Sequence, residues 1–138
     1  MKRLLQIAFL MTAFAVAARA QLVVIANPSV PVASIDTRTV VNIYMLTQTK
    51  WANDEPIRVF ALKKGTAGAE KFYAALGLNP LALNKQWLRI QLTGEGRAPS
   101  LVPEDEIVAR VAATPGAIGF VDMARVTDRV RVLRQVAQ

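Results

Sequence analysis

The 138-residue sequence contains no cysteine and no histidine. Without cysteine the chain has no disulfide bond and no thiolate, and without histidine it has no Ser–His or Cys–His catalytic pair and no histidine-rich metal site. The acidic residues have structural explanations, because Asp54 and Glu55 lie in a turn and residues 104–106 begin a helix whose dipole they complement. The sequence therefore indicates a protein that is not an enzyme and that needs no cofactor or metal.

Residues 1–20 have the pattern of a secretory signal peptide. Lys2 and Arg3 precede an apolar run over residues 4–18, and a small-x-small site ends at Ala20. The run is shorter than the roughly twenty apolar residues that span a bilayer. We therefore expect cleavage after Ala20, a single domain over residues 21–138, and a periplasmic protein that keeps no membrane anchor.

The charge of this expected mature chain is mildly positive. Leaving out Lys2, Arg3 and Arg19 reduces the 17 basic residues to 14, against 10 acidic ones, for a net charge of +4. Outside the cytoplasm such a balance favours small anions or acidic surfaces as partners. The arginines are scattered and no stripe of aromatic and basic residues is present, so we expect no binding of nucleic acid.

Hydrophobic patterns predict strands that alternate with helices. The continuous apolar run at residues 22–26 is typical of a strand buried on both faces. Capping residues and glycine or proline breaks predict the helix ends. The predicted strands are 22–26, 57–62, 117–121 and 129–133, and the predicted helices lie within 36–46, 66–76, 79–92 and 103–112. This order indicates an α/β fold with a mostly parallel or mixed sheet flanked by helices.

Several residues in this framework have a structural interpretation. The aromatic residues Trp51, Phe72 and Trp87 have apolar neighbours and are predicted to lie in the core. Pro115 and Gly116 predict a type II turn, in which glycine supplies the positive φ. Gly119 lies within a predicted strand, where glycine permits the close approach of a neighbouring segment.

Residues 63–72, KKGTAGAEKF, form the candidate binding turn between a predicted strand and a predicted helix. Small residues here allow backbone N–H groups to face outward, and the start of the helix favours an anion. The hydroxyl of Thr66 either donates to a ligand or caps the helix. A plain connection between a strand and a helix has the same pattern. The predicted ligand-binding residues are Lys64, Gly65, Thr66, Ala67 and Gly68.

Four segments, in order, resemble the phosphate-binding proteins of high-affinity phosphate importers. Residues 22–51 resemble a strand, an Asn-Pro and a helix that leads to a tryptophan turn, and residues 59–73 resemble the strand, phosphate turn and helix. Residues 85–96 resemble a later tryptophan helix with a Thr-Gly loop. The sequence ATPGAIGFVD, residues 113–122, resembles the family's Pro-Gly-Ala-Ile-Gly-Tyr-Val strand most closely.

The resemblance implies a single lobe of a type II periplasmic-binding-protein-like fold. Family members have two lobes, and this chain is similar to the short, single-lobe phosphate transporter substrate-binding proteins. It implies that the ligand is inorganic phosphate or a similar small anion. It also implies, as partners, an inner-membrane transporter or further copies of the same chain.

The candidate turn departs from the family pattern. Aligned on Phe72, Leu62 takes the place of the family's phosphate-gripping arginine, and Lys64 takes that of an aspartate. Gly68 takes the place of a threonine, so one hydroxyl is lost as well. Because lysine lacks the fork geometry of a guanidinium, the sequence predicts weak and poorly selective binding. The alternative is a periplasmic interaction module that keeps the lobe scaffold without binding a ligand.

Overall fold

The computed structural model describes residues 21–137. Their strands form one five-stranded sheet with the order β3-β2-β4-β1-β5. The strands are β1 (Leu22–Ala26), β2 (Arg58–Leu62), β3 (Ser100–Val102), β4 (Ala117–Asp122) and β5 (Arg131–Ala137). β2 pairs in parallel with β3 and β4, whereas β1 pairs antiparallel with β4 and β5. The sheet is thus mixed, as expected, and parallel pairing does not predominate in it.

Four helices and one 3₁₀ turn flank the sheet. They are α1 (Thr37–Tyr44), α2 (Ala67–Ala75), α3 (Pro80–Thr93), α4 (Glu104–Ala113) and the turn Met123–Arg125. Local chemistry accounts for the helix ends. The side chain of Asp36 accepts a hydrogen bond from the Thr39 N–H at 2.8 Å, and Asn79 caps α3 in the same way. α3 ends at Gly94, which has the positive φ of 69° that glycine tolerates.

The structure corrects the predicted elements in two places, and one predicted segment lies outside the described residues. The strand β3 was not predicted, and the last strand begins at Arg131 rather than at residue 129. The predicted signal peptide, residues 1–20, lies outside the described part of the chain, as does residue 138. Within residues 21–137 no helix is both long enough and apolar enough to cross a membrane.

An aromatic cluster holds α1 and α2 against the sheet. The ring of Phe72 stacks on that of Phe120 with 3.7 Å between centroids, and Tyr44 meets Phe72 edge-on at 5.1 Å. The hydroxyl of Tyr44 donates to the Phe60 carbonyl at 2.9 Å, so the buried polar group is satisfied. Such aromatic residues supply much of the apolar area that a small core buries.

Trp51 and Trp87 are buried, which confirms the prediction that they belong to the core. The indole of Trp51 donates to the Gly116 carbonyl at 3.0 Å, and the indole of Trp87 donates to the Tyr44 carbonyl at 2.7 Å. The second bond satisfies one of the carbonyl groups that the last turn of α1 leaves without a helical partner. Trp87 therefore attaches α3 to the end of α1.

Gly116 and Gly119 are required by the backbone. Gly116 has a φ of 75°, and the Ala117 N–H donates to the Thr114 carbonyl at 3.2 Å, which closes the predicted turn. A Cβ atom on Gly119 would lie 3.0 Å from Cγ2 of Val111 and 3.2 Å from Cδ1 of Ile107. Because Gly119 has no side chain, α4 can pack closely against β4.

Candidate functional site

The candidate turn connects β2 to α2 at one edge of the sheet. β2 runs parallel to both β3 and β4, so the carboxyl ends of all three strands meet at that edge. The Lys63 N–H donates to the Val102 carbonyl at 3.2 Å, which continues the pairing one residue beyond β2. In open α/β sheets, ligands bind at the carboxyl ends of parallel strands.

The conformation of the turn shows what the Thr66 hydroxyl does. Gly65 has a φ of 79°, and the chain then enters α2 with Thr66 as its N-cap. The hydroxyl of Thr66 donates to the Lys63 carbonyl at 3.0 Å and accepts from the Ala69 N–H at 3.3 Å. Its proton is engaged inside the turn, so of the two roles left open by the sequence the structure supports the helix cap.

Three backbone donors of the turn stay free among the described residues. The N–H groups of Gly65, Ala67 and Gly68 make no hydrogen bond within residues 21–137. Two of them belong to the first turn of α2, where the helix dipole is positive. Lys63 and Lys64 are exposed, and neither side chain forms an ion pair within the described part of the protein. Of the five predicted residues, Thr66 and Gly68 are half-buried, and Lys64, Gly65 and Ala67 are exposed to solvent.

Leu62 is buried beside the start of α2. Only 1% of its surface is exposed, and its Cδ1 atom would lie 3.0 Å from a Cβ atom placed on Gly68. Real Cβ atoms rarely have so short a contact, so Leu62 in this position favours glycine at residue 68. A side chain at residue 68 would therefore require Leu62 to shift.

A cavity of about 100 Å³ adjoins the turn and extends between α2 and α3. Lys64 and Gly65 line it on the side of the turn, and Glu70, Tyr73 and Asn84 contribute polar groups from the two helices. Sequence reasoning did not select these three residues, because they come from two helices whose packing a linear pattern does not specify.

Two larger hollows lie at the opposite end of β2. Their volumes are about 410 and 470 Å³, and Arg58 and Arg97 line both of them. No residue of the candidate turn lines either hollow. Carboxylates accompany the arginines, Glu55 in one hollow and Glu95 in the other, so the local charge of each hollow is mixed rather than positive.

The acidic start of α4 is stabilised by one ion pair. Nε of Arg125 lies 3.1 Å from Oε1 of Glu104, and both side chains are partly exposed. Surface pairs of this kind contribute about 0–1 kcal/mol to stability. Within residues 21–137 no group of three or more acidic side chains is placed to hold a metal ion.

The mixed sheet, its flanking helices and the turn at the carboxyl edge define an α/β lobe of the periplasmic-binding-protein type. A family profile for the PBP superfamily domain matches residues 13–135, and the chain belongs to this family. This confirms the family resemblance and the fold class predicted from the sequence. A comparison with curated proteins gave no match.

Solved structures with the same fold come from several bacteria. The chain is similar to a candidate phosphate ABC transporter substrate-binding protein with bound phosphate from Clostridium perfringens, at 19% identity and a TM-score of 0.70 over 83% of this chain and 44% of that one. It is similar to an ABC-type phosphate transport receptor from Vibrio cholerae, at 16% identity and a TM-score of 0.65 over 83% and 46%. PstS from Borrelia burgdorferi gives 16% identity and a TM-score of 0.63 over 83% and 46%. The chain therefore spans less than half the length of these structures.

Proposed function

We propose that the protein is an exported, non-enzymatic solute-binding lobe that binds phosphate or a similar small oxyanion at residues 64–68, in connection with phosphate transport. The observation that carries the proposal is a set of three N–H groups, on Gly65, Ala67 and Gly68, that have no hydrogen-bond partner within residues 21–137. The phosphate-binding descriptions of the similar structures support the choice of ligand.

The free N–H groups donate to the oxygens of the anion, and the helix dipole and the lysine side chains add favourable charge. Each hydrogen bond to a charged group contributes about 1.5–3 kcal/mol before the costs of desolvation and association are subtracted. Leu62 supplies no guanidinium, and the turn is open to water. We therefore expect a dissociation constant on the order of 1 mM, which corresponds to a binding free energy of about −4 kcal/mol.

Calorimetric titration of the purified protein with phosphate and with sulfate at low ionic strength tests the site. Replacing Lys63 and Lys64 by alanine should weaken phosphate binding at least several-fold, because two positive charges leave the turn. The matched control replaces Lys50 and Lys85, which removes the same charge elsewhere and should have a much smaller effect. If the wild type gives neither heat nor a thermal shift at roughly ten times the expected dissociation constant, the proposed function is wrong.

We also propose that the chain is exported to the periplasm after removal of residues 1–20. The charged start, the short apolar run and the site ending at Ala20 support this proposal. Cell fractionation followed by intact-mass measurement tests it directly. A periplasmic species that begins at Gln21 is the expected product, and a full-length species retained in the cytoplasm would contradict the proposal.

A second candidate function is docking to a protein partner, and the exposed face of α3 favours it. This 14-residue helix has only two buried side chains, Leu83 and Trp87. Leu81, Leu88 and Leu92 are 66%, 56% and 76% exposed and follow one line along the opposite side of the helix. A helix that is apolar on two sides usually has a neighbour on each of them.

The charges beside this leucine line favour an acidic partner surface. Lys85 and Arg89 are exposed next to it, and α3 contains no acidic residue. Replacing Leu88 and Leu92 by glutamine should abolish cross-linking to an inner-membrane transporter subunit or to a second copy, and replacing exposed Ala74 by glutamine on α2 is the control. A strictly monomeric protein that cross-links to neither partner would exclude this function.

A further inference from the structure

The cavity between α2 and α3 has apolar walls and a polar opening. Its walls include Leu62, Ala69, Pro80, Trp87 and Leu101. Its volume of about 100 Å³ exceeds the roughly 10–15 Å³ that a single water molecule needs, so a group of a few non-hydrogen atoms fits. The cavity adjoins the candidate turn, because Lys64 and Gly65 line it as well.

Tyr73 lines this cavity, and its hydroxyl has no hydrogen-bond partner within residues 21–137. The residue is only 6% exposed, and its ring lies edge-on to Trp87, with 6.1 Å between centroids. Its hydroxyl makes no hydrogen bond with any residue in the range 21–137, although buried tyrosine hydroxyls usually have a partner. Within that range no side-chain oxygen or nitrogen is both sealed from solvent and unsatisfied, so this hydroxyl keeps some contact with solvent, and Tyr73 is one of the residues that line the cavity.

The ionisation state of this hydroxyl is constant under ordinary conditions. Burial raises the pKa of Tyr73 well above its ordinary value. At neutral pH the phenol therefore keeps its proton, and it can both donate and accept a hydrogen bond. Such a group suits a ligand that carries its own polar hydrogen.

Glu70 adds a negative charge to the same cavity. Its carboxylate forms no ion pair and no hydrogen bond within the described residues, and it also lies in the first turn of α2, where it complements the helix dipole. This exposed charge reduces the attraction of the turn for a bare anion. A ligand whose anionic group is joined to a cationic group would instead be attracted at both ends.

We propose that the turn and the cavity together bind a zwitterionic phosphate ester of a short amino alcohol. The phosphate lies at the free N–H groups and Lys64, and the ammonium group lies in the cavity beside Glu70 and Tyr73. Two carbons and one nitrogen match the available volume. This inference rests on the proposed anion binding at the turn and names the class of ligand that the same site prefers.

Calorimetry with phosphoethanolamine and with inorganic phosphate tests the inference. Phosphoethanolamine should bind the wild type at least tenfold more tightly than inorganic phosphate does. The variant Glu70→Gln should lose this preference, because it binds the ester more weakly and inorganic phosphate more tightly. Tyr73→Phe should weaken ester binding several-fold without lowering the melting temperature, because the hydroxyl has no hydrogen bond within the described protein to lose.

The outcomes separate the two proposals. Equal affinities of the wild type for the ester and inorganic phosphate, or an unchanged preference in Glu70→Gln, overturn the inference and leave the phosphate site standing. Binding of neither compound overturns both. Co-sedimentation with vesicles of phosphatidylethanolamine, with phosphatidylcholine vesicles as control, distinguishes a lipid headgroup from a free ester as the source. In a protein that prefers the free ester over inorganic phosphate, selective binding to the phosphatidylethanolamine vesicles identifies a lipid headgroup as the source.

Discussion

Replacing Thr66 by alanine removes the two hydrogen bonds that order the candidate turn. The hydroxyl donates to the Lys63 carbonyl at 3.0 Å and accepts from the Ala69 N–H at 3.3 Å. The Lys63 carbonyl lies at an exposed turn, so water can replace the first bond. The second bond is the helix cap, whose loss typically costs about 1 kcal/mol.

We therefore expect Thr66→Ala to lower the free energy of unfolding by about 1 kcal/mol. For a domain of this size the melting temperature should fall by about 3–5 °C. Thr66→Ser keeps the hydroxyl and should restore most of the loss. Lys64→Ala removes an exposed side chain that forms no ion pair within residues 21–137, and it should change stability by less than about 0.5 kcal/mol. Urea denaturation followed by circular dichroism measures all three variants.

Phosphate titration of the same variants shows whether the hydroxyl also serves the ligand. Because its proton is engaged by Lys63, Thr66→Ala should weaken phosphate binding by less than about tenfold, the equivalent of 1.4 kcal/mol. The free N–H groups of the turn remain in the variant. A Thr66→Ala protein with wild-type stability and no phosphate binding would refute this reasoning, since the hydroxyl would then be a ligand donor rather than a cap.

Three further variants test the framework around the turn. Gly119→Ala should cost about 1–3 kcal/mol in chemical denaturation, because the new methyl would lie 3.0 Å from Val111; an unchanged midpoint would contradict the close packing. Trp87→Phe should cost about 1–3 kcal/mol, because it leaves the Tyr44 carbonyl without its donor, and a loss no larger than that of a surface variant would contradict this. Hydrogen bonds from the Thr39 side chain and backbone hold the pKa of Asp36 below its ordinary value of 3.8, so the folded state favours the carboxylate. The stabilisation from Asp36 is therefore complete at pH values above 3.8 and is lost as the pH falls through the lower pKa of the folded state. In Asp36→Asn this part of the acid dependence of the urea midpoint should vanish. A pH profile identical to that of the wild type would contradict the prediction.

Features that depend on neighbouring residues in the chain could be predicted from the sequence. Asp36 and Asn79 cap their helices as expected, because a cap needs only its own side chain and the next three residues. Gly116 has the positive φ that its Pro-Gly turn requires. The order of four motifs was sufficient to predict the family, which the profile match confirms.

Features that depend on distant pairing could not be predicted in this way. The strand Ser100–Val102 has only three residues, and it exists as a strand because it pairs with residues 60–62. The run at residues 22–26 is buried as predicted, but both of its neighbours in the sheet are antiparallel to it. A continuous apolar run indicates that a strand is buried, but it does not indicate whether the neighbouring strands are parallel or antiparallel.

For the candidate turn, the sequence by itself determined that residues 64–68 connect a strand to a helix, because glycine, small residues and a capping threonine act locally. Only the tertiary structure decided that the Thr66 hydroxyl is engaged within the turn and that Leu62 fills the space beside Gly68. It also decided that Tyr73 and Asn84 share a cavity with Lys64. The physical reason is that such groups meet only when α2 and α3 pack together, and that packing is set by contacts between segments far apart in the chain.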